Sequence, residues 1–147
     1  MMNDYLEIIT AGDLIWENGI EFAINGLKIA QGNGVNFTYK IFGDGPLLEA
    51  VAFAIHDLDL SGCCKLIKNL NSQKIKSFPD IFLMPAVSPD YKFSFEKMNS
   101  KKTHYITTSL ILESSSMMLF DNFTLIPRWD SKSIANAIIS LYKRKIF

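Results

Sequence analysis

Two short segments carry residue types that could contact an anion. Lys92 directly precedes Phe93–Ser100, which is predicted to form a short helix. The first backbone N–H groups of a helix lack partners inside it, so they could face a phosphate group together with the lysine. Gly43-Asp-Gly-Pro46 is rich in glycine and could let the backbone approach a ligand closely. Each segment also has a plain structural interpretation, a solvated surface lysine in the first case and a turn that starts a helix in the second.

The residue pattern does not indicate metal or nucleophile chemistry. His56 and His104 are far apart in the sequence and lack metal-ligand spacing, so both are predicted to be structural. Cys63 and Cys64 are adjacent in a predicted strand, where neighbouring side chains point to opposite faces and cannot form an ordinary disulfide. We interpret them as buried small apolar residues. No metal is therefore expected.

Hydrophobic periodicity predicts alternating strands and helices, which must position these segments. The continuous apolar run Asp80–Pro85 is typical of a strand buried on both faces, so helices should cover both sides of the sheet. Alternation with short connections implies right-handed crossovers and a ligand crevice at the carboxyl ends of the strands. The predicted fold class is α/β, a doubly wound, Rossmann-like parallel sheet of about six strands. The predicted strands are Tyr5–Ala11, Asn36–Phe42, Cys63–Ile67, Asp80–Pro85, His104–Thr108 and Phe123–Ile126, and the predicted helices follow Asn18, Pro46 and Asp130 or cover Phe93–Ser100 and Leu110–Leu119.

Several local features of these elements can also be predicted. Asn18 should cap the first helix, with Glu21 three residues later, and Asp130 or Ser131 should cap the last one. Trp16 and Trp129 fall in loops, where they could stack on a base but are expected to pack against the end of the sheet. The basic residues at 143–145 end the last helix, where cations favour the helix dipole.

The composition is that of an ordinary globular chain, and we expect residues 1–147 to form a single domain. Fifteen basic and fifteen acidic residues cancel, so no overall field would attract nucleic acid, and none is expected as a partner. The first residues, Met1–Asp4, lack the pattern of a signal peptide, and no apolar window has the length of a membrane-spanning helix. A cytoplasmic location is therefore expected.

Four motifs occur together in the order and spacing of a known family. They are Gly12-Asp-Leu-Ile-Trp-Glu-Asn-Gly19, Gly43-Asp-Gly-Pro46, Asp80-Ile-Phe-Leu-Met-Pro85 and Leu125-Ile-Pro-Arg-Trp-Asp130. In these motifs the chain resembles the C-terminal, nucleotide-sugar-binding domain of family-4 (group 1) GT-B glycosyltransferases. The resemblance spans nearly the whole chain. It implies a single half of a GT-B fold, in which two Rossmann-like halves face a cleft and the C-terminal half holds the sugar nucleotide.

The resemblance also implies positions for contacts with the donor. Members of the family hold the donor diphosphate with an Arg after the first strand and a Lys five residues later, and these positions carry Asp13 and Asn18 here. Lys92 is a candidate replacement for the missing cations, and Glu96 matches a family glutamate that addresses the ribose hydroxyls. Asp90 lies six residues before Glu96, where a further family glutamate has no clean counterpart. The donor would be a UDP- or GDP-sugar, no catalytic residue is assigned, and the predicted nucleotide-sugar-binding residues are Gly12, Asp13, Asn18, Pro85, Asp90, Lys92, Phe93, Ser94 and Glu96.

Three functions follow from these observations. The first is one half of a hexosyl transferase, retaining by resemblance, that works with a separate N-terminal half and could reach a membrane through that partner. The second is a non-catalytic module for protein interaction or regulation, motivated by Asp13, Asn18 and the altered segment 89–95. The third, a phosphoacceptor receiver domain, fits worse because Asp13 stands alone after the first strand. An exposed crevice edge would also allow the chain to form a homo-oligomer.

Overall fold

The computed structural model describes residues 4–68, 78–93, 102–114 and 122–146. Over these ranges the chain alternates between strands and helices, as the periodicity predicts. The strands are β1 (Leu6–Ala11), β2 (Phe37–Phe42), β3 (Cys64–Ile67), β4 (Ile81–Met84), β5 (His104–Thr107) and β6 (Phe123–Leu125). The helices are α1 (Ile20–Gly32), α2 (Leu48–Asp57), α3 (Ser109–Ser114) and α4 (Ser131–Ile146), and a 3₁₀ turn at Trp16–Asn18 precedes α1.

All six strands are parallel and form one sheet in the order β3-β2-β1-β4-β5-β6. The chain moves outwards from β1 to β3 and then returns to place β4 on the other side of β1. The doubly wound, Rossmann-like α/β class is therefore confirmed, and the predicted strand bounds agree within one or two residues. No helix in the described ranges is both long and apolar enough to span a bilayer.

The sheet is covered on both faces, as the apolar run at β4 predicts. Ile81 and Leu83 of β4 belong to the larger core, which includes buried residues of α1, α2 and α4. Phe82 and Met84, which point the opposite way, belong to a second core with Leu110 of α3. All four β4 side chains are buried, so the central strand is apolar throughout because neither face meets water.

A buried polar contact joins three neighbouring strands inside this apolar core. The hydroxyl of Thr10 in β1 donates to the carbonyl oxygen of Leu83 in β4 at 2.6 Å and pairs with the hydroxyl of Tyr39 in β2, also at 2.6 Å. Burial raises the pKa of the Tyr39 hydroxyl well above its ordinary value. Both hydroxyls are thus satisfied without water, which fixes the centre of the sheet.

The last helix is capped at its start and bonded to the region around β1 and β4 at its end. Asp130 caps it, with Oδ1 accepting from the backbone N–H of Ser133 at 3.0 Å, and hydrogen bonds from Ser133 lower the pKa of the Asp130 carboxyl. At the other end, Lys145 donates to the carbonyl oxygen of Tyr5 and pairs with Asp80 Oδ2, each at 2.9 Å. The predicted cap is confirmed, and part of the basic cluster pairs with protein groups.

Two local predictions are wrong. Asn18 does not cap α1: the N-cap is Gly19 in a left-handed conformation (φ 68°), and no side chain caps the helix. The reason is that a 3₁₀ turn precedes α1 and directs the Asn18 amide to other backbone groups. Cys63 is only half-buried, because it lies in the turn before β3, whereas Cys64 is buried; both thiols are free.

Two predicted helices can be followed only in part. Of the predicted helix Phe93–Ser100 only Phe93 is described, and it forms an antiparallel bridge with Gly12 instead of a helical turn; the remainder lies outside the described residues. Of the predicted helix Leu110–Leu119, residues up to Ser114 are helical, and the remainder lies outside the described ranges.

The contact between α1 and α4 leads to a test of the packing. A Cβ added at Gly26 would lie 2.8 Å from Ile134 Cγ2 and 2.9 Å from the backbone oxygen of Ser131, so α4 would have to move. We expect Gly26→Ala to lower the free energy of unfolding by about 1–3 kcal/mol, although alanine is the better helix former. Urea denaturation of the purified chain measures this.

The matched control is Gly32→Ala, in the same helix. Nothing lies within 4 Å of a Cβ added there, so we expect a change of no more than about 0.5 kcal/mol. An equal loss for both variants would contradict the close packing of α1 against α4.

Candidate functional site

The sheet has one topological switch point, between β1 and β4. β2, which follows β1 in the chain, pairs with one edge of β1, and β4 pairs with the opposite edge of β1. In open parallel sheets, ligands bind in the crevice at the carboxyl ends of such strands. The crevice here is formed by the loop 12–19 after β1 and the loop 85–93 after β4, with the loop 43–47 after β2 beside them. The predicted site residues that the structure describes all fall on the first two of these loops.

Glycines allow the loops to approach each other closely. A Cβ on Gly43 would overlap the carbonyl oxygen of Gly12, so the loops after β2 and β1 are in backbone contact. Gly19 has φ 68°, and a Cβ there would overlap the carbonyl oxygen of Pro85. A side chain at either position would force the loops apart. The glycines of the motifs thus set the shape of the crevice.

The side chain of Asn18 joins the two loops of the crevice. Its Nδ2 donates to the carbonyl oxygens of Asp13, at 2.6 Å, and Lys92, at 2.8 Å. Its Oδ1 accepts from the backbone N–H of Lys92 at 2.7 Å. The residue is fully buried. Both amide hydrogens and the amide oxygen are engaged, so in this arrangement Asn18 positions the loops, and contact with a ligand would require some of these bonds to break.

Asp13 and Lys92 bring opposite charges to the rim of the crevice. The backbone N–H of Asp13 donates to the carbonyl oxygen of Lys92 at 3.0 Å, which places the two residues side by side, and both are exposed. Phe93 pairs with Gly12 in an isolated antiparallel bridge. The two positions where the resemblance implies cations carry Asp13 and Asn18, and Lys92 is a cation on the neighbouring loop.

The remaining predicted site residues are only partly brought together. Pro85 is buried against Gly19, and Asp90 is exposed near the end of the second loop, where its backbone N–H donates to Ser88 Oγ at 3.2 Å. Ser94 and Glu96 lie outside the described residues. Their roles, like the donor contacts of the other residues, stay predictions.

Two residues that shape the second loop, Thr108 and Ser88, are not among the predicted site residues. Thr108, after β5, donates from its hydroxyl to the carbonyl oxygen of Ala86 at 2.9 Å. Ser88 is nearly buried and accepts the hydrogen bond from Asp90. A threonine or serine at the end of a strand is too common a pattern to have identified either one. The described residues contain no group of three or more His, Cys, Asp or Glu side chains placed to hold a metal ion.

Both tryptophans contradict the expectation that they pack against the end of the sheet. Trp16 is 61% exposed and Trp129 is 59% exposed. Trp129 also has φ 55°, in the left-handed region that bulky residues rarely adopt, and Arg128 lies over its ring. Neither ring is used by the core, so each is available at the surface.

Comparisons with known proteins identify the same kind of relative in sequence and in structure. No family model matches the chain. Over 86 residues, 56% of its length, the chain is 34% identical to the amylovoran biosynthesis glycosyltransferase AmsK of Erwinia amylovora. The matched segment spans 21% of that protein, about a fifth of its length.

Solved structures cover the chain almost completely. The C-terminal domain of the group 1 glycosyltransferase LpcC from Francisella tularensis superimposes with a TM-score of 0.74 at 16% identity, over 97% of this chain and 77% of that one. TarM of S. aureus, in a structure with UDP, has a TM-score of 0.74 at 12% identity, over 99% of this chain and 30% of TarM. The chain thus has the fold of the C-terminal domain of a GT-B glycosyltransferase, and the resemblance drawn from the four motifs is confirmed.

The buried position of Asn18 predicts a stability effect. Asn18→Ala removes three hydrogen bonds and leaves the Lys92 N–H without this partner, so we expect the free energy of unfolding to fall by about 2–3 kcal/mol. Urea denaturation gives the value. Hydrogen exchange should show faster exchange at Lys92.

Asn33→Ala is the matched control, because Asn33 also donates from Nδ2 to a backbone oxygen, that of Ile29, but at an exposed helix end. We expect a loss of no more than about 0.5 kcal/mol there. Similar losses for the two variants would show that Asn18 does not hold the loops together.

Proposed function

We propose that the chain is the nucleotide-sugar-binding half of a group 1 type glycosyltransferase, with residues 1–147 as one domain. The donor, a UDP- or GDP-sugar, would bind at the carboxyl ends of β1 and β4. The observation that carries the proposal is the crevice at this switch point, built from the loops 12–19 and 85–93 in a fold shared with glycosyltransferases. A structure of one relative, TarM, contains UDP.

Lys92 is the residue that we propose to offset the charge of the donor diphosphate. It is exposed at the rim, and its backbone is fixed because its N–H donates to Asn18 Oδ1 and its carbonyl oxygen accepts from the N–H of Asp13. A cation beside the diphosphate would stabilise the negative charge that develops as the bond between sugar and phosphate breaks. Asp13 acts against this, because its carboxylate lies next to the same place. We therefore expect weak binding by the chain itself.

Transfer of the hexosyl group would require a second half that supplies the acceptor site. The chain covers 30% of TarM, and its match to AmsK covers 21% of that protein. We propose that an N-terminal half, carried by a separate polypeptide, closes the crevice over the donor in the cytoplasm. Closure would exclude water and strengthen the attraction between Lys92 and the phosphates.

A second candidate function is a non-catalytic module that keeps the fold for protein interaction. The observation in its favour is that Asn18 and Asp13 occupy the positions of the family's two cations, and the amide of Asn18 is engaged with the backbone. A site of this kind would hold its shape without a ligand. The two functions differ in whether nucleotide sugars bind at all.

Charge reversal at Asp13 separates the two functions. Asp13→Arg should leave the fold unchanged, because the side chain is exposed, and should strengthen UDP-glucose or GDP-mannose binding about tenfold or more by replacing repulsion with attraction. Lys92→Ala should weaken binding. Isothermal titration calorimetry measures each dissociation constant, first for the chain alone and then with a candidate N-terminal half.

Asp57→Arg is the control for the change in net charge, since Asp57 is exposed at the end of α2, away from the strand ends. It should leave donor affinity unchanged. If neither the natural chain nor Asp13→Arg, with or without Asn18→Lys, binds any of these sugars, the enzyme proposal fails and the non-catalytic function is favoured.

A further inference from the structure

An apolar groove lies between α1 and α2, which pack on the same face of the sheet. It is separate from the crevice. Its volume is about 240 Å³. Ile20 and Ile24 of α1 form one wall, Val51 and Ala54 of α2 the other, and Leu47 and Trp16 lie at one end. The lining is thus mostly aliphatic, and it runs between two helices that belong to the same face of the sheet.

A large aromatic side chain that lines the groove is left in water. Trp16 is 61% exposed, and among the large hydrophobic residues of the described ranges only Phe53, elsewhere on α2, is more exposed. An exposed tryptophan in an apolar groove is typical of protein-binding surfaces, where such residues contribute much of the affinity.

The segments that form the groove carry charge of one sign. Residues 13–24 and 44–54 contain five carboxylates and no lysine or arginine, although the whole chain has equal numbers of acidic and basic residues. Glu21 lines the groove itself and is exposed. Glu17 and Glu49 belong to the same segments, whereas Asp13 and Asp44 line a neighbouring pocket, where Lys92 lies beside Asp13. The carboxylate in the groove and those next to it in sequence favour a partner that carries cations.

We propose that this groove binds a segment of a partner protein that presents apolar side chains flanked by lysine or arginine. An amphipathic helix places such side chains along one face at spacings of three and four residues, which suits a groove between two helices. Its apolar side chains would cover Trp16, and its cations would face Glu21 and the neighbouring carboxylates. The proposal does not depend on nucleotide-sugar binding, because the groove and the crevice have different linings.

Trp16 can report on the groove directly. The chain has two tryptophans, so Trp129→Phe leaves Trp16 as the sole indole fluorophore. The probe is a synthetic amphipathic peptide of two heptads made of leucine and lysine, and the control peptide has glutamate at every lysine position. We expect the lysine peptide to shift Trp16 emission to shorter wavelength, with an affinity that falls as salt rises, and the glutamate peptide to have no effect.

Two substitutions of exposed alanines on different faces of α2 test where the peptide binds. Ala50 lines the groove and Ala52 does not, yet both are exposed. In the Trp129→Phe background, Ala50→Phe should obstruct the groove and weaken peptide binding at least tenfold, whereas Ala52→Phe should leave it unchanged. Glu21→Lys should also weaken binding several-fold, whereas Asp57→Lys, with the same change in charge, should not. Circular dichroism confirms that the variants fold.

Several results would overturn the proposal. Equal binding of the two peptides, or no shift with either, would remove the basis for a basic apolar partner. Equal effects of Ala50→Phe and Ala52→Phe would place the peptide elsewhere. A shift of Trp16 emission that grows with protein concentration alone, together with a dimer in sedimentation velocity, would assign the groove to a second copy of the chain instead. Nucleotide-sugar titrations are read separately and leave these outcomes unaffected.

Discussion

The buried amide of Asn18 determines how the two central loops of the sheet meet. A buried polar group must have partners, since leaving one unsatisfied costs about 1–3 kcal/mol. Asn18 finds all of its partners in the backbone of Asp13 and Lys92, which are distant in sequence from each other. Gly19 follows directly and closes against Pro85. One side chain and the glycine beside it therefore fix the loop after β4 against the loop after β1, together with the backbone contacts of Asp13 with Lys92 and of Gly12 with Phe93.

This junction explains how the crevice can keep its shape while lacking the charges expected from its resemblance. A lysine buried at position 18 would need a nearby anion to offset the cost of burying its charge. An asparagine is neutral and is satisfied by the backbone alone, so the loops are held whether or not a ligand is bound. The positive charge is left to Lys92, at the exposed rim beside Asp13. In this site, the shape of the crevice thus depends on Asn18, whereas its charge depends on Lys92 and Asp13.

The sheet could be predicted from the sequence because its signals are local. The apolar run of β4, the periodicity of α1 and α4, and the acidic cap at Asp130 each reflect the burial of nearby residues. Asn18 was misassigned because an asparagine before a helix, with glutamate three residues later, is also the pattern of a cap. Its actual partner Lys92 lies 74 residues further along. No local pattern carries that information.

The exposed tryptophans could not be predicted for a different reason. Hydrophobicity favours burial on average, but it does not tell which apolar side chain lies beyond the edge of the core. Trp16 lies in the 3₁₀ turn after β1, and the buried residue of that turn is Asn18. Trp129 has a left-handed backbone conformation in the loop after β6. In both cases the course of the backbone decides the exposure, and that course is set by contacts elsewhere in the fold.

The loop after β1 contributes to the crevice and, through Trp16, to the apolar groove, so charges at the two sites act on each other. Asp13 and Asp44 lie on the loops that flank the crevice, and Glu17 and Glu21 continue the first of these loops towards the groove. Carboxylates that attract a basic segment also oppose a diphosphate nearby. A basic partner in the groove would offset part of that negative charge and so favour an anionic donor. By linkage, a bound donor would then favour the partner by the same factor. If both proposals hold, the acidic residues that weaken donor binding in the isolated chain make it dependent on a partner.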